Sequence, residues 1–463
     1  MTDPLENVLG DLVDEMERRF PYAAALLSGV SGVQISDTGR EQSASEVNPS
    51  RGVVFTIYDG ATFQEYASSD LDTDRLAAGV RAWAAGLAPR SGPELALERQ
   101  RGDGVRAVER FRTDVEIDPA GVPLHDKLAH LHDVQRRLQA LDPRIVQAQV
   151  AYRDAADEKL YIGRGRQLRQ QVIRTVCILV VAVSDGAQVR SNFYSTGGTQ
   201  GFEVTRIGDE TLHATADFAL RLLEAGRIEP GEYDIVADPS ISGVLAHESF
   251  GHGVELDLFP KGRARSAHYL GRQVGAPLLN MFDDPSYPGG HGSYAFDDDG
   301  ELARRTQILR DGVFVLPISD LASATFAPGI ETPNGRRQDF TRKTFARMSN
   351  TFFAPGTTPT AELIAGVERG VYLGHAESGV EDPMGWGIQV TARAAEEIRD
   401  GRLTGKLFTP VGISGYVPNV LMSVSAVGDD FELSSSSFCG KGHKELVPVS
   451  TGGPHLRLKA RLA

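Results

Sequence analysis

Two histidines frame a glutamate in the stretch His247-Glu248-Ser249-Phe250-Gly251-His252. Imidazoles are metal ligands, and a carboxylate beside them can serve as the base for a metal-bound water, which is the chemistry of a zinc hydrolase. In the familiar zinc-protease helix the two histidines stand at i and i+4, nearly one above the other. Here the second falls at i+5. At about 100° per residue such a pair points roughly 140° apart on a regular α-helix, too far for both rings to reach one ion. The spacing therefore predicts a deformed helix, through a wide π-type turn or a local break, with Gly251 as the residue that tolerates the backbone. The plain alternative is two hydrogen-bonded histidines on a half-buried helix.

A catalytic zinc takes three protein ligands and leaves one position open, so the pair needs a third group. Glu255 and Asp257 are near in sequence, and His268, His291, His375 and His443 are chemically able, although each alone is an ordinary surface or hydrogen-bonded residue type. Cys439 stands out. It lies in Ser434-Ser435-Ser436-Ser437-Phe438-Cys439-Gly440-Lys441-Gly442-His443, where small residues permit close backbone approach and a thiolate is a strong zinc donor. Cys177, inside Thr175-Val176-Cys177-Ile178-Leu179, reads as core.

The elements that must carry these groups follow from pattern. Residues 234–246 read as a short apolar strand, a turn at Pro239 and a helix start with Ser240 or Ser242 near its cap. Upstream, apolar spacing predicts a helix over 4–28, strands at 32–36, 41–47, 52–58 and 62–67, and a helix at 73–88. A linker over 89–123 holds one strand near 106–111. A second block has helices at 124–141 and 212–225 around strands at 144–153, 158–164 and 169–184. Beyond about residue 227 the composition turns to Gly, Pro and Asp with mostly strand signals, and Asp299-Gly300, Asp311-Gly312 and Asp400-Gly401 mark hairpins. The acidic run 297–301 lacks the ligand spacing of a calcium loop and reads as a turn. The expected fold class is α+β: residues 1–226, with sub-blocks 1–88 and 124–226, carry helices with antiparallel strands, and residues 227–463 form a strand-rich half that holds the metal helix.

Composition narrows the function. With 463 residues, 41% of them apolar, the chain can build sizeable cores, and its two cysteines give no disulfide framework. A formal net charge of −14 argues against a nucleic-acid partner, and the short basic run 261–265 reads as a solvated loop. Residues 1–8 show no secretory pattern, and the longest apolar run, 176–183, is too short to span a bilayer, so a cytoplasmic, membrane-free protein is expected.

Several motifs in order, Ala246-His247-Glu248-Ser249-Phe250-Gly251-His252-Gly253-Val254-Glu255, residues 292–300, Thr332-Pro333-Asn334-Gly335-Arg336-Arg337, Arg347-Met348-Ser349-Asn350-Thr351 and Cys439-Gly440-Lys441, resemble the TldD/PmbA family on its TldD side, over most of residues 232–460. The family is also described as modulator of DNA gyrase. The resemblance implies a metallopeptidase with His247, His252 and Cys439 as ligands to one zinc per chain and Glu248 as the acid/base group. It also implies a dimer, either with a PmbA-type paralogue that lacks the metal motif or with a second copy. Two features depart from the pattern: His443, close after the cysteine, competes as a ligand, and the loop 259–287 is idiosyncratic.

Three functions are consistent with these residues. The first is a zinc peptidase acting on unstructured or extended peptides, in which exposed strand edges pair with substrate backbone. The second is a biosynthetic amide hydrolase acting on one small peptide or conjugate. The third is a non-catalytic modulatory subunit with a structural metal, for which a closed set of four protein ligands is expected. Asn334, Arg336 and Arg337 are candidate substrate contacts through their donors, against the alternative of a turn with solvated arginines.

Overall fold

The computed structural model describes residues 4–47, 50–92, 95, 107–441 and 445–463. Its architecture is α+β. In the first half, two 19-residue strands, Ile145–Gly163 and Arg166–Ser184, pair antiparallel along their whole length and form the spine of a nine-stranded sheet. The free edge of Ile145–Gly163 takes Val33–Asp37 at one end and Tyr22–Ser31 at the other. Each end of the sheet has its own helical cover. Pro4–Glu17 and Thr73–Ala85 bury Leu9, Leu12, Leu76 and Val80 against the strands Tyr22–Ser31 and Ser50–Tyr58. Leu124–Gln139 and Asp209–Leu222 bury Leu131, Leu138, Leu212 and Ala216 against the other end.

The second half holds the chemistry between two sheets. Five strands, Gly231–Ala237, Arg369–Asp382, Gly387–Arg399, Val411–Tyr416 and Leu456–Leu462, pair in that order, and the last pairs with the first, so the sheet closes into a barrel. A second, seven-stranded sheet includes Met281–Asp283, Asn350–Phe353, Glu445–Gly453 and the edge strand Ser437–Lys441. The helix Pro239–Phe250 leaves the first barrel strand and contacts both sheets. It is buried on nearly every side, which explains why its sequence has no polar face apart from His247 and Glu248.

Buried polar contacts join the halves. Asp298 accepts from Lys159 and from the amide of Arg337, and Arg174 donates to the carbonyls of His291 and Ser293. The acidic run 297–301 is a turn, as its spacing suggests, but a buried one: Asp297 accepts from the amides of Asp299, Glu301 and Gly335. No helix among the described residues is long and apolar enough to cross a membrane.

Several elements differ from their pattern. The first helix stops at Glu17, and Tyr22–Ser31 is a strand. Its alanines and leucines mimic a helix, but the segment lies between two strands with both faces covered, where small residues are required. The strands expected at 144–153 and 158–164 are one, because the polar residues Asp154, Asp157 and Glu158 are absorbed by pairing and by Lys127. Val189–Gly198 was not legible as a strand. Asp311-Gly312 and Asp400-Gly401 do turn hairpins with positive φ at both residues, whereas 299–300 closes only the single bridge between Phe296 and Leu302. Among the described residues of the linker the one strand is Ala107–Arg112, with Arg106 outside them.

Candidate metal centre

The residue that starts the metal helix is Asp238, not a serine. One of its oxygens accepts from the Ile241 amide at 2.9 Å and from Ser240 at 2.6 Å, while the other accepts from the His375 amide at 2.9 Å. The same side chain thus caps the helix and ties it to the neighbouring barrel strand, with Pro239 in the first turn where its missing N–H is harmless.

The other end resolves the spacing problem. The α-helix stops at Phe250, Gly251 closes a last bond to the His247 carbonyl at 3.1 Å, and a 3-10 turn begins at His252. This is a local break that tightens, not a widened π turn. Gly251 keeps ordinary helical angles, φ −82 and ψ −64. Its role is space: a Cβ there would come within 2.1 Å of Met348 Sδ and 2.2 Å of the His247 carbonyl oxygen. The break brings the two rings together, with centroids 5.1 Å apart and planes at 85°.

Cys439, on the edge strand Ser437–Lys441, completes the set. Its Sγ lies 3.4 Å from His252 Nε2, and the ligand atoms of His247, His252 and Cys439 all fall within 4.8 Å of one another. A tetrahedral ion with bonds of about 2.0–2.3 Å separates its ligands by a comparable distance. Burial alone would raise the Cys439 thiol, but the two imidazoles overcome it and hold it well below its usual range. His252 is shifted the opposite way, with burial lowering it and Cys439 and Glu255 raising it to a net value well above normal. These opposed shifts describe a thiolate beside a cationic imidazole, a charge pattern that a divalent cation replaces. His247 is 4% exposed, and its Nδ1 has no partner among the described residues.

A buried charged layer holds the ligands. Glu255 is 1% exposed and accepts from His252 Nδ1 at 3.4 Å and from Lys441 at 3.0 Å; Lys441 also bonds Asp257 at 2.6 Å. Burial opposes ionisation of Glu255, but Lys441 and His252 bring its pKa down to about 2. Arg347 donates to the Cys439 carbonyl at 2.7 Å and to the Glu445 carbonyl at 3.1 Å. Glu255 and Asp257, weighed above as ligands, instead stand behind the ligands. Glu255 orients the ring of His252 in the manner of a carboxylate that fixes a metal-bound histidine. Its i+3 spacing from His252 was the available signal; Lys441 and Arg347 gave none beyond the family motifs that contain them.

The cluster opens into a cleft of about 450 Å³ that Glu248, Leu258, Val380, Glu381, Pro383 and Phe438 also line. Glu248 is half-buried and rests on the strand Arg369–Asp382, where Gly379 makes room: a Cβ at that position would stand 2.4 Å from Glu248 Cγ. The remaining sequence candidates fall elsewhere. His291 is fully buried outside the cluster, and His268 and His375 are exposed. His443 lies outside the described residues. Cys177 is core, with burial pushing its thiol up to about 12.

Asn334, Arg336 and Arg337 are neither solvated nor part of the cleft lining. Asn334 donates to Asp283 and the Arg347 carbonyl, Arg336 to the Met348 carbonyl, and Arg337 to Glu65 and the Arg342 carbonyl. All three are at most 6% exposed, which corrects their reading as substrate contacts. Asn334 and Arg336 thus brace the segment 345–350, from which Arg347 reaches the Cys439 carbonyl.

Comparisons with known proteins bear on the family. The profile of the PmbA/TldA metallopeptidase C-terminal domain matches residues 230–461. A metalloprotease of Methanothermobacter thermautotrophicus is 32% identical over 364 residues, covering 78% of both chains. The zinc metalloprotease TldD homolog of Saccharolobus solfataricus is 27% identical, over 72% of this chain and 75% of that one. The crystal structure of TldE from Thermococcus kodakarensis shares the fold at TM-score 0.70 and 15% identity, covering 98% of this chain and 100% of that one. A Thermotoga maritima protein, described as a candidate modulator of a DNA gyrase, superimposes at TM-score 0.77 and 17% identity over 99% of both chains. From the motifs, the arrangement of the cluster and these relationships, the chain belongs to the PmbA/TldD metallopeptidase family.

Proposed function

We propose that this protein is a zinc-dependent peptidase that hydrolyses extended, unstructured peptides, with His247, His252 and Cys439 holding one zinc ion and Glu248 handling the proton. The donor set supports the metal: two imidazoles and a thiolate suit zinc, and among the described residues three donors leave a coordination position free and a buried His247 nitrogen lacks any other partner. When bound, zinc supplies Lewis acidity that polarises a scissile carbonyl and acidifies an attacking water.

This chain's own residues do the rest. Glu248 accepts the water proton and returns it to the leaving amine, from a half-buried position at the mouth of the cluster. Glu255 keeps the His252 ring oriented, and Lys441 keeps Glu255 ionised. Two strand margins border the cleft. Ser437–Lys441 pairs on one side only among the described residues, and residues 376–382 pair with Gly387–Arg399 but not with the first barrel strand. Main-chain pairing to such an edge recognises backbone with little side-chain demand, which favours an extended peptide over a folded protein.

The observation that carries the reading is the placement of Glu248 beside a three-donor cluster in one open cleft. Among the described residues the cluster has three donors instead of a closed four, which also weighs against a purely structural metal. A dimer, with a motif-lacking paralogue or a second copy, is part of the same proposal and rests on family resemblance. The direct test is Glu248→Gln with zinc content measured in the same preparation. Zinc should stay, and kcat/KM on an unstructured peptide should fall by about 10²–10⁴-fold. Undiminished turnover would remove Glu248 from the mechanism.

A further inference from the structure

Glu381 lines the cleft from the strand Arg369–Asp382, just before that strand turns into Gly387–Arg399. Both of its carboxylate oxygens are buried, and neither has a hydrogen-bond partner among the described residues. The amide of Gly253 is near enough to relieve the charge slightly, but without hydrogen-bond geometry. An unpartnered buried carboxylate is costly, so its retention in a cleft calls for an occupant that satisfies it.

The surroundings define that occupant. Glu381 lies outside the three-donor cluster. Glu248 and Glu255 line the same cleft, so it presents three carboxylates. Lys441, the lysine on the cleft lining among the described residues, is already bonded to Glu255 and Asp257. A neutral amide N–H arriving from a substrate would supply one donor but no charge. An ammonium supplies three donors and cancels the repulsion among the carboxylates.

We propose that Glu381 receives a substrate ammonium group, from a peptide amino terminus or a lysine side chain, and so gives this cleft a preference for a cation close to the scissile bond. The inference rests on the peptidase reading for its substrate class, but a binding experiment tests it without turnover. Four fluorescent decapeptides of one sequence, labelled near the carboxyl end, carry a free or an acetylated amino terminus and either lysine or norleucine at one position. Each is titrated by anisotropy into the Glu248→Gln chain and into Glu248→Gln/Glu381→Gln.

The expected result is at least about tenfold tighter binding of a peptide with an ammonium than of the acetylated norleucine peptide, equivalent to about 1.4 kcal/mol. That gap should close to within about twofold once Glu381 is replaced. A gap that follows acetylation assigns the amino terminus, and one that follows lysine assigns the side chain; both support the proposal. Equal affinity for all four peptides, no binding of any, or a gap that survives Glu381→Gln overturns it. Glu381→Met serves if the glutamine variant fails to fold. An ammonium preference in a wild-type chain that cleaves no peptide would sink the peptidase reading while leaving the role of Glu381 standing.

Discussion

Cys439 and the two histidines differ in how much each could be replaced. A serine hydroxyl is a far poorer zinc donor than a thiolate, so Cys439→Ser should lower zinc content and peptide turnover together, as read by elemental analysis and an activity assay on the same sample. Unchanged zinc stoichiometry would point to a ligand outside the cluster. Glu255 acts through His252. Glu255→Gln should weaken zinc affinity by about 10–100-fold in competition with a chelator, a change that a residue acting only in the general fold would not produce without loss of stability. Lys441→Met, in turn, removes the cation that Glu255 and Asp257 share, leaving Glu255 to His252 and Asp257 to Lys261. Breaking a buried pair in this way costs about 3–5 kcal/mol, measurable by urea unfolding. At this scale the sequence was most informative where chemistry is local. His247, Glu248 and His252 are read directly, and Cys439 stood out by residue type. Glu381 had no signal, because an acidic residue before a hairpin turn is usually a solvated one.

The metal helix shows how an element converts an unfavourable spacing into a site. Asp238 fixes its start, and the 3-10 turn after Gly251 swings His252 back towards His247. Gly379, on the neighbouring strand, makes a separable prediction. In Gly379→Ala the new methyl group would crowd Glu248 Cγ at 2.4 Å and displace the carboxylate, while the metal ligands lie on other elements. Turnover should fall about tenfold or more with zinc retained, since small displacements of a catalytic group are expensive. Loss of zinc in that variant would mean that the strand supports the cluster itself. The direction of the helix distortion was not legible: the i+5 spacing required a break but did not say whether it widened or tightened, and Met348, whose side chain leaves room only for glycine at position 251, lies nearly a hundred residues away. Tyr22–Ser31 was misread for a related reason, since only its two partner strands show that alanine there packs a sheet.

For the molecule as a whole, the barrel was beyond a reading of local pattern because its first strand pairs with residues 456–462, over two hundred positions later. The contact between the halves was equally hidden, although the acidic turn 297–301 that forms part of it was visible. Burial raises Asp299 to about 7, with Asp320 adding to it and Arg337 opposing, and Asp297 is raised in the same direction. A carboxyl raised above its unfolded value binds its proton more tightly in the folded state. Its contribution is complete below about pH 4 and is lost as pH rises towards 7. Asp299→Asn should therefore lose less stability than the wild type between pH 5 and pH 8 in urea unfolding. An equal or larger loss would contradict the protonated folded form.

The functional expectations depend on one ion between His247, His252 and Cys439. Anomalous diffraction from crystals of the zinc-loaded protein, collected on either side of the zinc absorption edge, tests this most directly. The account predicts one peak per chain within bonding distance of both imidazoles and the sulfur. A map without density there, or with the zinc held by other residues while the two rings face apart, would contradict it.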